Sequence, residues 1–330
     1  MSTAPLSSIV DALLLDLDGT VWSGQRAIPG AVDAISGSGL TAMFITNNAS
    51  RGSGEVASLL RGIGLDVRPE QVVTSAQAAV ALASQHAAAG DPVLVVGAES
   101  FAQLASESGF RVVSSADERP TVVLHGHNPS TGWRELSEAA LAIRAGARYI
   151  ASNVDTTLPS PRGLLVGNGS MVAAVTSATG VVPDVAGKPG PAMFVQAAER
   201  AGATRPLAVG DRLDTDIAGA VASDVPSLHV LTGVSGPWDL VAAPPALRPT
   251  YVAESLLEIG QPAERLAPGA QGGFTATARG HDISLGGGAE DATPIDALRT
   301  VLEVAWRGDG FTGEVVAASG AAERALQAWW

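Results

Sequence analysis

Ala12-Leu13-Leu14-Leu15-Asp16-Leu17-Asp18-Gly19-Thr20 is the stretch on which the fold of this chain turns. The apolar run reads as a buried parallel strand, and the glycine ends it. Asp16 and Asp18 then stand at a strand's carboxyl end, where open α/β sheets place their ligands. Two carboxylates so close repel each other unless a cation or a proton is shared between them. The pair suits a nucleophile, an acid/base and a Mg²⁺ ligand set on one short loop. It also suits a capped turn, since Asp and Gly are turn formers. The pentapeptide alone leaves both readings open.

Outward from this stretch the chain alternates strand and helix. A helix is expected over 30–38, and Thr41-Ala42-Met43-Phe44-Ile45 forms a second apolar strand that ends in Thr46-Asn47-Asn48-Ala49-Ser50. A helix follows over 54–62. A second α/β region begins near residue 76, with short buried strands at 93–97, 122–124 and 149–151 and helices over 100–108 and 130–145. Residues 163–169 read as a glycine-rich loop and 171–179 as a helix. The first pattern then resumes with a helix over 191–201. A strand over 206–210 ends in Asp211-Arg212-Leu213-Asp214-Thr215-Asp216, and a further strand covers 227–231. This is the grammar of a parallel sheet with helices on its faces. Residues 262–273, rich in Pro, Gly and Ala, read as a linker. Beyond it lie strands over 274–279 and 283–285, a helix over 294–307, a strand over 314–317 and a last helix from Gly320.

Composition narrows the function. The chain has 330 residues, 46% apolar and 16% charged, which supports a large core and argues against disorder. It has no cysteine, which excludes disulfides, thiolate zinc sites and thiol nucleophiles. No apolar run approaches a membrane span, and Met1-Ser2-Thr3-Ala4-Pro5 lacks the basic region of a secretory leader, so the cytoplasm is the expected location. A net charge of −13 makes nucleic acid an unsuitable partner, and an anionic ligand needs locally collected positive charge. Lys188, in Gly187-Lys188-Pro189-Gly190, is the only lysine of the chain. A surface charge would tolerate arginine, which is used everywhere else, so a compact ammonium has a specific role here.

Three strands end in polar clusters, Asp16/Asp18, Thr46/Asn47 and Asp211/Asp214/Asp216, and Lys188 precedes a helix. At the carboxyl edge of one parallel sheet these clusters converge on a single crevice. With Asp16-Leu17-Asp18-Gly19-Thr20, Thr46-Asn47-Asn48-Ala49-Ser50, Gly187-Lys188-Pro189 and Gly210-Asp211-Arg212-Leu213-Asp214-Thr215-Asp216-Ile217 in that order over residues 8–260, the chain resembles the haloacid dehalogenase (HAD) superfamily of phosphohydrolases. The branch it resembles is the NagD-like one, which includes pyridoxal phosphate, phosphoglycolate and glycerol-3-phosphate phosphatases.

The resemblance implies a Mg²⁺-dependent phosphoric monoester hydrolase with an aspartyl-phosphate intermediate. Asp16 is the implied nucleophile. Asp18 is the acid and base, and its carbonyl is a metal ligand. Thr46 and the Asn47 backbone N–H bind phosphoryl oxygens, although a helix N-cap is the plainer reading of that pair. Lys188 pairs with Asp16 and the phosphate. Metal ligands are Asp16, Asp18, Asp211 and Asp216, with Asp216 holding bound water or orienting the loop. Asp214 reads as a helix-start carboxylate, and Arg212 pairs with a neighbouring acid.

The resemblance further implies a Rossmann-like core at residues 1–75 and 184–260 and an inserted α/β cap at 76–183. Asn153, Asp155 and Asn168 are its candidate substrate contacts. His125 and His127 share a strand face as a metal pair would, but no third ligand stands near, and a cap-edge or substrate-facing role fits better. Asn128 occupies a place where the family often carries an acid. Trp133 reads as helix packing. Residues 270–330 lie outside the phosphatase resemblance and form a small α+β accessory domain like part of an acetyltransferase (GNAT) fold, without a coenzyme loop. Actinobacterial glycerol-3-phosphate phosphatases carry such a tail. The expected substrate is therefore a small phosphorylated metabolite, glycerol 3-phosphate first, with pyridoxal 5′-phosphate or 2-phosphoglycolate as alternatives. A non-catalytic metabolite-binding regulator is the reading from a different class. A homo-oligomer is left open.

Overall fold

In the first apolar strand, Leu13, Leu14 and Leu15 are wholly buried, and the strand runs Ala12–Asp16. The computed structural model describes residues 4–24, 26–160 and 162–329. Met1–Thr3, part of the stretch read above for its lack of a basic leader, lies outside the described residues. The chain divides into two units, residues 1–43 with 201–330 and residues 44–200. The strand Thr41–Thr46 carries the chain from one to the other. Both units are α/β with parallel sheets.

In the first unit Ala12–Asp16 pairs in parallel with Pro206–Gly210, in the register Leu13↔Leu207 and Leu15↔Val209. Pro206–Gly210 pairs with Ser227–Val230, and that strand with Tyr251–Ala253, all parallel. One residue beyond the Leu15–Val209 pair come Asp16 and Gly210, so Asp16 and Asp211 leave the sheet at the same edge. A five-residue π-helical turn, Leu213–Ile217, replaces a clean helix start after Asp211. Such turns recur at functional sites.

The tail forms a three-stranded sheet in the order Phe274–Arg279, Asp282–Gly287, Val315–Ala317, the first pair antiparallel and the second parallel. Its helix Pro294–Ala305 begins on a capping box, in which Thr293 accepts from the Asp296 N–H and the Asp296 carboxylate returns the bond. Ten of its twelve residues are buried, so it has no solvent face to speak of. Leu298, Val301 and Leu302 belong to one apolar cluster with Leu213, Ile217, Leu240 and Val252. The tail thus shares a core with the segment directly behind Asp211. Arg299, 3% exposed, donates to the Val252 carbonyl and pairs with Glu258 at 2.8 Å.

The expected linker at 262–273 is packed chain. Ala263–Leu266 is a short helix with Leu266 fully buried, and the Gly269 and Gln271 N–H groups donate to Arg299 O and Thr300 Oγ1. Its small residues allow close approach rather than freedom.

In the second unit Phe44, Ile45 and Thr46 pair in parallel with Val72–Thr74. A separate five-stranded parallel sheet has the order Asp184–Val185, Arg148–Ala151, Val122–His125, Pro92–Val96, Arg111–Val113. The loop expected at 163–169 is instead half of an antiparallel hairpin, Thr157–Ser160 with Gly163–Val166, followed by a helix that starts at Asn168. Leu164, Leu165 and Val166 are all exposed, so the strand lacks the alternation that would have revealed it. Trp133 is 84% exposed at the first position of the helix Trp133–Arg144, whose buried face is Ala139, Ala142 and Ile143. It does not pack the helix as expected. No helix among the described residues is long and apolar enough to cross a membrane.

His125 ends its strand fully buried, with Nδ1 2.9 Å from the Tyr149 hydroxyl. Burial lowers its pKa from 6.5 to about 4 and raises that of Tyr149. The unfolded chain takes up a proton near pH 6.5 that the folded chain refuses until about 4. Stability from this group therefore falls as pH drops through that window and is level below it. The full difference is about 3 kcal/mol. We expect His125→Gln to flatten the loss of unfolding free energy between pH 7 and pH 4.5, measured by urea denaturation against the parent.

Candidate active site

The loop after Asp16 is knitted by the Leu17 carbonyl, which accepts from the N–H groups of Thr20, Val21 and Trp22. Gly19 sits at φ +93°, a left-handed conformation, and a Cβ there would lie 2.5 Å from the Asp211 carboxylate. The glycine therefore permits both the turn and the approach of Asp211. Asp18 is exposed, and the Trp22 indole N–H donates to its Oδ1 at 2.9 Å. That bond fixes the carboxyl group while leaving it reachable from solvent.

Asp211 is fully buried and Asp216 is 3% exposed. Each of Asp16, Asp211 and Asp216 offers a carboxylate oxygen, and these lie within 4.8 Å of one another. The Asp211 carboxylate accepts from the Val234 N–H at 2.7 Å, and the Asp216 carboxylate from the Arg212 N–H at 3.1 Å. Thr232 and Ser235 hold the same loop: the Thr232 hydroxyl donates to the Gly19 carbonyl, and Ser235 Oγ accepts from the Leu213 N–H. A Cβ on Gly233 would overlap the Asp211 carboxylate. His229 is buried, and its Nε2 donates to the Ser235 carbonyl, which can only accept. Burial lowers its pKa to about 4, so it is neutral. Asp214 is exposed and takes both arms of the Arg212 guanidinium, whose hydrogen bonds lower its pKa. Hard oxygen donors in this number suit a divalent cation such as Mg²⁺.

In the second unit, Thr46 ends its strand buried, with its hydroxyl accepting from the Asn48 N–H at 3.1 Å. The pair does not cap a helix, since the next helix, Ser53–Gly62, begins behind Gly52, and the Thr46 hydroxyl proton remains to donate elsewhere. Lys188 is 3% exposed. Its N–H donates to Asn47 Oδ1 at 2.9 Å, its carbonyl accepts from Asn47 Nδ2 at 3.1 Å, and its ammonium reaches the Ile45 carbonyl at 3.4 Å. Asn47 Nδ2 also donates to the Asp155 carboxylate.

Residues 13–111 match a family described as haloacid dehalogenase-like hydrolase, and residues 185–259 match a HAD-like hydrolase family. The D-glycerol 3-phosphate phosphatase of Mycobacterium tuberculosis is 46% identical over 302 residues, which is 90% of this chain and 86% of that protein. The chain belongs to the haloacid dehalogenase-like hydrolases. An acid sugar phosphatase of Staphylococcus aureus is 36% identical over 229 residues, 68% of this chain and 87% of its own length. The crystal structure of a M. tuberculosis glycerol phosphate phosphatase in complex with magnesium aligns with a TM-score of 0.95 at 43% identity, covering 99% of both chains. That match includes the tail.

Within this hydrolase chain the predicted residues fall into two groups. Asp16, Asp211 and Asp216 meet in the first unit, with Asp18 on the adjoining loop. Thr46, Asn47, Asn153, Asp155, Asn168 and Lys188 gather in the second. His125 and His127 join no cluster of metal-ligating side chains among the described residues. The sequence reading missed the loop Thr232-Gly233-Val234-Ser235 and the Trp22 indole. The loop follows an apolar strand end, as the other clusters do, but what it gives Asp211 is a backbone N–H, which every residue but proline carries. We expect Gly233→Ala to displace Asp211 and to weaken Mg²⁺ binding by about tenfold or more, measured by titration calorimetry on the folded variant.

Proposed function

We propose that this chain is a Mg²⁺-dependent phosphatase of small phosphate monoesters, with glycerol 3-phosphate as its substrate. The observation that supports this most is the Asp16/Asp211/Asp216 cluster beside an exposed, oriented Asp18, in a chain alike over 90% of its length to a D-glycerol 3-phosphate phosphatase. The substrate itself rests on that likeness. In this reading residues 1–75 and 184–260 form the core, 76–183 the cap, and 270–330 an accessory domain. The location is the cytoplasm. The phosphorylated metabolite is the partner, with neither nucleic acid nor membrane, and a homo-oligomer is the assembly to look for.

Asp16 attacks phosphorus through a carboxylate oxygen. The ester P–O bond breaks as Asp18 gives its proton to the leaving alkoxide. Asp18, now a carboxylate, takes a proton from water, whose oxygen attacks the same phosphorus. The bond from Asp16 to phosphorus breaks, and free phosphate leaves. Asp16, Asp211, Asp216 and the Asp18 carbonyl would hold Mg²⁺, which when bound neutralises charge between Asp16 and the phosphate. Thr46 and the Asn47 N–H bind phosphoryl oxygens. The Lys188 ammonium offsets the remaining charge in a chain of net charge −13.

The test is turnover with Mg²⁺ over a panel containing glycerol 3-phosphate, pyridoxal 5′-phosphate, 2-phosphoglycolate and a sugar phosphate. The highest kcat/KM on glycerol 3-phosphate is expected, and no turnover of any ester would refute the reading. Asp18→Asn should lose about 10²–10⁴-fold on an alkyl ester and much less on p-nitrophenyl phosphate, whose leaving group needs little protonation. Equal losses on both would remove Asp18 from the acid role. Lys188→Arg keeps the charge but not the point geometry, and a loss of about a hundredfold in kcat is expected. Parent kinetics in that variant would make the lone lysine incidental.

A further inference from the structure

The sequence reading takes the Asn47 backbone N–H, Asn153 and Asn168 as phosphate or substrate contacts, and the side-chain amides of all three are engaged within the protein. Asn47 grips both backbone polar groups of Lys188, accepting from its N–H and donating to its carbonyl. The Asn47 carbonyl in turn accepts from Asn153 Nδ2 at 2.7 Å and from Ser75 Oγ at 2.6 Å. The Asn153 carbonyl accepts from Asn168 Nδ2 at 2.7 Å, while its Oδ1 accepts from the Asp155 N–H at 3.2 Å. Asn168 is the first residue of the helix Asn168–Thr179, and its Nδ2 also reaches the His125 carbonyl at 3.4 Å. Asn153 and Asn168 are 4% and 2% exposed. The bonds run without a gap from the start of a helix to the main chain of Lys188.

The residue type suits the task. A clamp on both main-chain groups of one residue needs a donor and an acceptor on separate atoms of one small planar group, which an amide supplies and an ionised carboxylate or a hydroxyl does not. A buried and connected polar network fixes geometry more firmly than single contacts at the surface.

We propose that Asn153 and Asn168 are positioning residues, which act through Asn47 by fixing the main chain at Lys188 and do not touch the substrate. The kinetic part rests on the phosphatase reading; the structural part does not. A reacting group misplaced by about 1 Å can lose about a hundredfold in rate, so breaking the chain of bonds should appear in kcat.

The single lysine provides its own reporter. In protein labelled with ¹³C at the lysine Cε, Lys188 alone gives the lysine signal in a carbon–proton correlation spectrum. Asn153→Ala and Asn168→Ser are compared with Asn128→Ala, whose parent side chain lies in the same unit but donates to the Gly97 carbonyl instead. We expect the Lys188 signal to move in the first two variants and to stay in the third. We expect kcat to fall about ten- to a hundredfold in the first two, with KM within about threefold of the parent. An unmoved Lys188 signal overturns the proposal. So does a raised KM at parent kcat, which would mark a direct substrate contact. If Asn153→Ala does not fold, Asn153→Ser takes its place. If the parent turns over no ester, the phosphatase reading fails, and the Lys188 signal still decides the positioning claim.

Discussion

Three carboxylates with oxygens within 4.8 Å of one another, two of them buried, are the constraint to which the first unit answers. Like charges so close cannot all stay ionised without donors or a cation among them. The fold meets this with main chain as much as with side chains. A parallel register brings Asp16 and Asp211 out at one edge, and the Val234 and Arg212 N–H groups donate to Asp211 and Asp216. What remains is a negative oxygen-lined cluster with a place for a hard cation.

The second unit holds the converse problem, a buried ammonium in a chain otherwise without lysine. Its backbone is clamped on both sides by one asparagine, and its ammonium reaches a carbonyl. Burying such a charge is favourable only when the geometry around it is well determined. The density of hydrogen bonds behind Asn47 supplies that determination. It also explains why so many small polar residues of this unit point at one another and away from water.

Much of this was legible in the sequence where residue type alone carries the information. The strands Ala12–Asp16 and Pro206–Gly210 announce themselves as apolar runs ending in carboxylates, and the helix Pro294–Ala305 as a period of apolar residues behind Thr and Pro. Three-residue strands such as Val72–Thr74 and Tyr251–Ala253 are too short to show a period. The hairpin at 157–166 exposes its apolar residues on both faces and so mimics a loop. At the site, carboxylates and the lysine could be named because their chemistry is in the side chain. The Val234 N–H could not, since every residue but proline has one. The partners of the asparagines were equally hidden. An amide advertises hydrogen bonding without saying to what.

The pairing of Ala12–Asp16 with Pro206–Gly210 also fixes an order of events as the chain is made. Residues 44–200 are contiguous and emerge from the ribosome before the second stretch of the first unit. The strand bearing Asp16 is among the first segments synthesised, yet the strand Pro206–Gly210 that pairs with it appears only after that whole unit. The apolar surface behind Asp211 waits longer still, until the helix Pro294–Ala305 arrives to cover it. Asp16 is thus made early and set late.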